Sequence, residues 1–263
     1  MFNIRNFMMT GLLSLTLINP VSAATVQDAA EAIKNQEFEK ASRLLLDIAG
    51  KGDRDAQFLL AMMYEHGRGV PKSDEEAFMW YKQAAQQGHD AAQNNLGQMY
   101  KQGQGVKQDF KEAVSWFRKA ALQGNPVAQY NLGVRYTKGE GVEKDLAEGA
   151  KWYRKSAEVG NMFAQFALAY AYATGEGVEK NMVEAYAWAK ASSTKKLLRA
   201  QQFVGFLGSK LSPEELAKGD QRFLELKEQL GLADAPPPAG PVTPQPPVVP
   251  AGDKPAQPDD SAS

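Results

Sequence analysis

"TKGEGVEKD", residues 137–145, sets two glycines one residue apart ahead of a valine, a lysine and an aspartate. A Gly-x-Gly element near a lysine can cradle a phosphate at a helix start, and the same letters can end one helix and begin the next. Recurrence separates the two readings. The stretch returns as "EHGRGVPKS", "KQGQGVKQD" and "ATGEGVEKN", so the leading glycine stands at Gly67, Gly103, Gly139 and Gly175, a constant step of 36 residues. A period of this length marks a repeat array. The same step joins Gly52, Gly88, Gly124 and Gly160, then Ala56, Ala92, Ala128, Ala164 and Ala200, and all four tryptophans, Trp80, Trp116, Trp152 and Trp188.

Each period reads as two helices. In the first, the A helix, Ala128, Leu132 and Tyr136 recur at four-residue steps and line one side. The glycine pair follows where a helix C-terminus needs a left-handed residue. Ser73, Asp109, Asp145 and Asn181 are N-cap residues for the second, B helix, and Glu76, Glu112, Glu148 and Glu184 stand three residues later, predicting a capping box in every repeat. A phosphate loop needs a strand before it and free amides after it. Here a helix precedes it and cap side chains take those amides, so the loop is mechanical.

The B helix of the second repeat carries Ala113, Trp116, Ala120, Ala121 and the closing Gly124. Tryptophan beside alanines predicts large-into-small packing, with the tryptophans buried between helices. A repeat that cannot cover its own apolar face must stack on the next. The predicted fold is an all-α solenoid.

The succession alanine, leucine, glycine or alanine, tyrosine, Gly-x-Gly-Val, aspartate, alanine, tryptophan, Ala-Ala and glycine resembles the Sel-one-like repeat, a relative of the tetratricopeptide repeat. "HDAAQNNLGQMYKQGQGVKQDFKEAVSWFRKAALQG", residues 89–124, matches it throughout. The resemblance covers residues 53–88, 89–124, 125–160 and 161–196 and implies a right-handed α-solenoid of antiparallel helix pairs. Ala61 and Ala169 stand where the family often has glycine, and Gly149 where it has alanine.

The ends read differently. "MFNIRNFMMTGLLSLTLINPVSA", residues 1–23, has a basic residue, an apolar run and a small-residue cleavage site, which predicts a signal peptide and a mature chain from Ala24. The run is too short for a bilayer span of ~20 residues, so no membrane span is expected after cleavage. Residues 24–52 read as a capping helix hairpin, and residues 197–232 as a degenerate repeat with a capping helix begun by Ser212, Pro213 and Glu215. From Asp234 onward ten prolines fall among alanines, glycines and acids, predicting a disordered or polyproline tail over residues 233–263.

Composition narrows function. A formal charge of -1 with interspersed acids and bases offers no basic surface to nucleic acid. With no cysteine there is neither disulfide nor thiolate chemistry, so an exported fold must stand on packing. His66 and His89 fall at different points of the repeat and gather no constellation, so the expectation is of a non-enzyme without cofactor or metal. Lys195, Lys196 and Arg199 read as a solvated basic face.

Binding has one candidate surface. The positions two, six and nine after the first alanine of each A helix point away from the Ala-Leu-Tyr stripe. They hold Phe58, Met62 and Glu65, then Asn94, Gln98 and Lys101, then Tyr130 and Val134, then Phe166 and Tyr170, then Phe206. The resemblance implies that this side lines the concave surface. Taken singly, each aromatic reads as packing between repeats; as a series they read as a binding face for a protein or peptide partner. The expectation is a scaffold or adaptor in the periplasm, or secreted; an envelope hydrolase and a glycan-binding module stay open beside it.

Overall fold

The computed structural model describes residues 25–195 and 197–231. The signal peptide expected over residues 1–23 and the tail expected over residues 233–263 lie outside the described residues, as does Lys196 of the basic cluster. Twelve helices and no strand occur among the described residues: α1 (Val26–Lys34), α2 (Phe38–Gly50), α3 (Arg54–His66), α4 (Asp74–Gln86), α5 (Asp90–Gln102), α6 (Phe110–Leu122), α7 (Pro126–Lys138), α8 (Leu146–Glu158), α9 (Met162–Thr174), α10 (Met182–Ser193), α11 (Leu198–Gly208) and α12 (Pro213–Leu230). Successive helices pack in chain order through α11, and α12 turns back to pack on α10. The architecture is an α-solenoid, with α3, α5, α7 and α9 as A helices and α4, α6, α8 and α10 as B helices.

The glycine pair does two separate things. Gly139 ends α7 in the left-handed region at φ 71, and its N–H donates to Arg135 O at 2.8 Å. Gly141 also has positive φ, 74, but its lack of a side chain matters more. A Cβ there would fall 2.0 Å from the carbonyl oxygen of Phe110, the first residue of the preceding B helix. Gly69, Gly105 and Gly177 sit in the same way on Phe38, Asp74 and Leu146. The first glycine turns the chain; the second seats one repeat on the last.

The B-helix caps form, but only half of each box does. Asp145 accepts from the Glu148 N–H at 2.9 Å, and Ser73, Asp109 and Asn181 cap Glu76, Glu112 and Glu184. The reciprocal glutamate bond is absent because the Asp145 N–H already donates to Tyr136 O at 2.9 Å, closing the loop onto the A helix. Ser73, Asp109 and Asn181 do the same to Tyr64, Tyr100 and Tyr172. A complete box occurs at Thr25 with Asp28 and at Ser212 with Glu215. The freed Glu184 instead accepts from Trp188 Nε1 and Arg222 Nε.

The alanine–leucine stripe is the core: Ala56, Leu60, Ala92, Leu96, Ala128, Leu132, Ala164 and Leu168 are all fully buried. The expectation for the tryptophans needs correction. Trp152 and Trp188 are buried, whereas Trp80 and Trp116 are half-buried. The following residue, 100° further round the helix, points into the A–B interface. Tyr81 and Phe117 are fully buried, and Tyr153 nearly so. Gly97 and Gly133 make room for the latter two rings, since a Cβ at either would lie 2.7 Å from the Phe117 or Tyr153 ring. Trp116 packs instead at the edge of the cluster formed by α3, α4 and α5, with Lys119 Nζ 3.7 Å from the ring centroid.

Buried glutamines bolt the repeats together. The Nε2 groups of Gln57, Gln93, Gln129 and Gln165 donate to the carbonyls of Ala49, Ala85, Ala121 and Ala157 near the ends of the preceding B helices. Each of those carbonyls also accepts from the N–H of the closing glycine, Gly52, Gly88, Gly124 or Gly160, so the glutamine supplies its second bond. Gln87 and Gln123 complete the first two bolts by donating to Gln57 and Gln93. Val159 holds the corresponding position next, and Gln129 Oε1 is left buried without a protein partner.

Candidate binding face

Several of the positions singled out from the sequence join neighbouring A-helix units: Phe58 meets His89, Asn94 bonds Asn131, and Phe166 and Tyr170 meet Phe203. The C-terminal half of the series is aromatic. Tyr130 on α7 has its ring 6.1 Å from Phe163 of α9 and 5.8 Å from Tyr153. Phe166 and Tyr170 of α9 meet Phe203 of α11 at 5.6 and 6.3 Å, and Phe203 stacks on Phe206 with an interplanar angle of 8°. Val134 packs against the same core cluster. Tyr130, Val134, Phe166, Tyr170 and Phe206 are half-buried, with one edge to solvent. Each therefore packs between repeats and presents surface.

Phe203, the ring that joins the others, escaped the sequence reading. It lies three residues after Ala200, outside the positions two, six and nine, and is 95% covered only because Phe166, Tyr170 and Phe206 converge on it. The A-helix caps were also unforeseen. Asp53, Asn125 and Asn161 cap α3, α7 and α9, and His89 caps α5 by accepting from the Ala92 N–H on Nδ1. Burial pushes the His89 imidazole below its ordinary pKa, which keeps that nitrogen an acceptor. The 36-residue step marks this position as it does the B-helix caps.

The N-terminal half is polar. Asn94 is buried and bonded to Asn131 and Asn95, while Gln98 Oε1 is buried without a protein partner. Lys101 follows on the same face. Burial first, then the charges of Arg135 and Lys138, push its ammonium below the usual lysine range. Arg135 is itself buried, paired with Glu140 and set over the Phe110 ring. Three cations thus share one acid, leaving this stretch positive. At the far end Phe58 stacks on His89 at 4.3 Å, Met62 is exposed, and Glu65 accepts from Tyr81 Oη at 2.6 Å.

The phenols behind this face titrate late. Burial pushes Tyr153 up to about 12, and burial and then Glu65 push Tyr81 further. Because their folded pKa values lie above the ordinary value near 10, the stability they contribute is complete below that pH and is lost as pH rises through the folded values. Alkaline titration is expected to melt the array between about pH 10 and 12, with tyrosinate absorbance at 295 nm rising together with the loss of helix. Ionisation that runs ahead of unfolding would show these phenols to be solvated.

An open polar cleft of about 560 Å³ lies where α12 meets α10, lined by Arg154, Tyr172, Lys180, Glu184 and Arg222 among others. Its arginines are engaged, Arg154 with Tyr172 and Arg222 with Glu184 and Glu225. Among the described residues no group of three or more His, Cys, Asp or Glu side chains could hold a metal ion, and no helix is long and apolar enough to cross a membrane.

A family model described as the Sel1 repeat matches residues 54–89, 90–125, 126–161 and 163–196, more than half of the chain. The chain is a Sel1 repeat protein. Among solved structures it resembles a protective antigen of uropathogenic Escherichia coli with an SLR fold, at TM-score 0.73 and 33% identity over 79% of this chain and 46% of that one. The Sel1 repeat chain thus spans less than half the length of that relative. It also resembles a Sel1 repeat protein of Oxalobacter formigenes at TM-score 0.67 and 31% identity, covering 79% of this chain and 84% of that one. A comparison with curated proteins finds no match. Sel1 repeats are scaffolds that generally serve protein–protein interaction.

Proposed function

We propose that this Sel1 repeat protein is an exported, non-enzymatic scaffold that holds a protein or peptide partner on its A-helix face in the periplasm or outside the cell. The observation that carries the reading is the ring contact between neighbouring A helices along that face. Tyr130 of α7 meets Phe163 of α9, and Phe166 of α9 meets Phe203 of α11, while Tyr130, Phe166, Tyr170 and Phe206 stay half-buried. Rings already held by neighbours lose little conformational freedom on binding, which makes them efficient anchors. The polar stretch from Asn94 to Lys101 supplies orientation. The leader-like residues 1–23 and the absence of cysteine support export without disulfides. A relative described as a protective antigen accords with that setting.

Affinity capture from the native envelope, with the retained polypeptide identified and then titrated, tests the reading. Tyr170→Ala is expected to weaken capture by about 2 kcal/mol or more, the hot-spot threshold. The thermal melt should move less than for a core truncation, because this ring is half-buried. Unchanged affinity, or retention of glycan in place of polypeptide, would overturn it.

A further inference from the structure

The turns that join each B helix to the next A helix are tied to one another. Gln87 Nε2 donates to Gly52 O at 3.0 Å, Asn125 Nδ2 to Asp90 Oδ2 at 2.8 Å, Asn161 Nδ2 to Pro126 O at 3.4 Å and Lys195 Nζ to Gly160 O at 2.7 Å. Each bond reaches from one repeat to the one before it, so the turns stack along one edge of the array. That edge has two unlike halves. In the C-terminal half Leu122, Val127, Val159, Phe163 and Leu198 are exposed, Leu122 at 71%, Val159 at 63% and Leu198 at 62%. The same repeat positions nearer the N-terminus hold Lys51, Asp55, Gln86, Gln87 and Asp90. Charge divides at the same place. Among the described residues of 119–127, 155–163 and 195–199, Lys119, Lys155, Lys195 and Arg199 are all exposed and stand against Glu158 alone. Over residues 47–55 and 83–91, Asp47, Asp53, Asp55 and Asp90 stand against Lys51 and Arg54. A nearly neutral chain thus carries one apolar, cationic half-edge and one acidic one.

We propose that the C-terminal half-edge, from the α6–α7 turn to the first turn of α11, docks the protein on an anionic phospholipid surface. Exposed apolar side chains gathered in one place mark a contact with protein or membrane, and two features select the membrane. First, each turn pairs an apolar residue with a cation close by in the chain: Lys119 with Leu122, Lys155 with Val159, and Arg199 with Leu198. A lipid surface meets both needs at one place, because apolar depth lies just beneath a layer of negative headgroups. Second, the acidic half-edge is repelled by that layer, which confines contact to the C-terminal turns and gives the array one orientation. Each Lys or Arg close to such a surface strengthens partitioning about fivefold, so four supply a factor on the order of several hundred at low ionic strength. The attraction reaches only about 8 Å at physiological salt, so the side chains must sit at the surface itself. Export is not required for this docking, and apart from Phe163, whose ring meets Tyr130, the half-edge uses none of the rings of the A-helix face.

Vesicle flotation tests the proposal, comparing vesicles of equal parts phosphatidylglycerol and phosphatidylcholine with vesicles of phosphatidylcholine alone. The chain is used from Ala24, which keeps all twelve described helices and leaves out the apolar run of residues 7–18, whose own affinity for lipid would mask the edge. It is expected to float with the anionic vesicles, to be released at high salt and to stay behind with the neutral ones. Lys155→Gln combined with Arg199→Gln should weaken partitioning about 25-fold, and Val159→Ser combined with Leu198→Ser about tenfold or more. All four side chains are exposed, so helix content and melting should match the parent and separate lost docking from lost folding. Lys51→Gln, which takes a cation from the acidic half-edge, should leave partitioning unchanged. Absence of flotation, equal flotation with neutral vesicles, a Lys51 variant as weak as the Lys155 and Arg199 pair, or indifference to the Val159 and Leu198 pair would each overturn the proposal. Sedimentation equilibrium without lipid adds one more decisive outcome. A parent that dimerises but ignores vesicles, and that the Val159 and Leu198 changes render monomeric, would make a second copy the occupant and overturn the membrane.

Discussion

Gly141→Ala should destabilise the array by about 3–5 kcal/mol, because it combines strain at positive φ with overpacking. The new Cβ would lie 2.0 Å from Phe110 O, and what it meets is backbone at a helix start, which cannot rotate away. Gly124→Ala is the matched comparison. Gly124 also has positive φ, 92, yet nothing lies within 4 Å of a Cβ there, so its cost should be the conformational part alone, about 1–2 kcal/mol. Chemical denaturation of the two variants beside the parent measures the difference. Equal costs would mean that the seat between repeats gives way, and that the second glycine is kept for its torsion angle only. Amide exchange should show where the damage falls, with the loop before α8 and the first turn of α6 opening before the rest.

Phe117→Ala should cost about 3–5 kcal/mol, the range for truncating a buried aromatic. Phe117 is fully buried among Ala113, Ala120, Ala128 and Leu132, under Gly97. Trp116→Ala removes a larger ring but should cost about half as much, since that ring is half-buried and hydrophobic stabilisation follows the area withdrawn from water. Thermal or denaturant melts of the two neighbours rank them directly. A Trp116 variant at least as damaging as Phe117→Ala would return the tryptophans to the centre of the core.

Why the sequence misplaces that pair is instructive. A tryptophan on a strict period signals that every repeat needs one, and the period is real. Whether the need is within a repeat or between repeats depends on a rotation of one residue, 100°, which spacing alone does not resolve. Gly97 and Gly133 carried the missing information, as small residues facing large ones, but facing is a relation between helices. The same limit explains the half-built caps. Asp145 and Glu148 are a capping box by letter, and only the fold shows that Tyr136 O takes the amide first. By contrast Gly139, Asp145 and the Ala128–Leu132 stripe were legible because each acts within its own helix or at its end. On the candidate face, the half-buried state of Tyr130, Phe166, Tyr170 and Phe206 accords with their helical phase. The burial of Phe203 was not legible in this way, since it is made by residues on another helix and on its own, about one turn away.

The contact between Gly141 and Phe110 O has a bearing on how such a protein can change over time. Four repeats are spaced by a main-chain contact that contains no side chain on either partner, at Gly69, Gly105, Gly141 and Gly177. The spacing is therefore a ruler whose divisions do not depend on which residues decorate the A helices. Asparagine can replace phenylalanine at position 94 relative to 58, or tyrosine at 130, without shifting the next helix. The residues on the face can change, repeat by repeat, while the spacing between repeats is inherited unchanged.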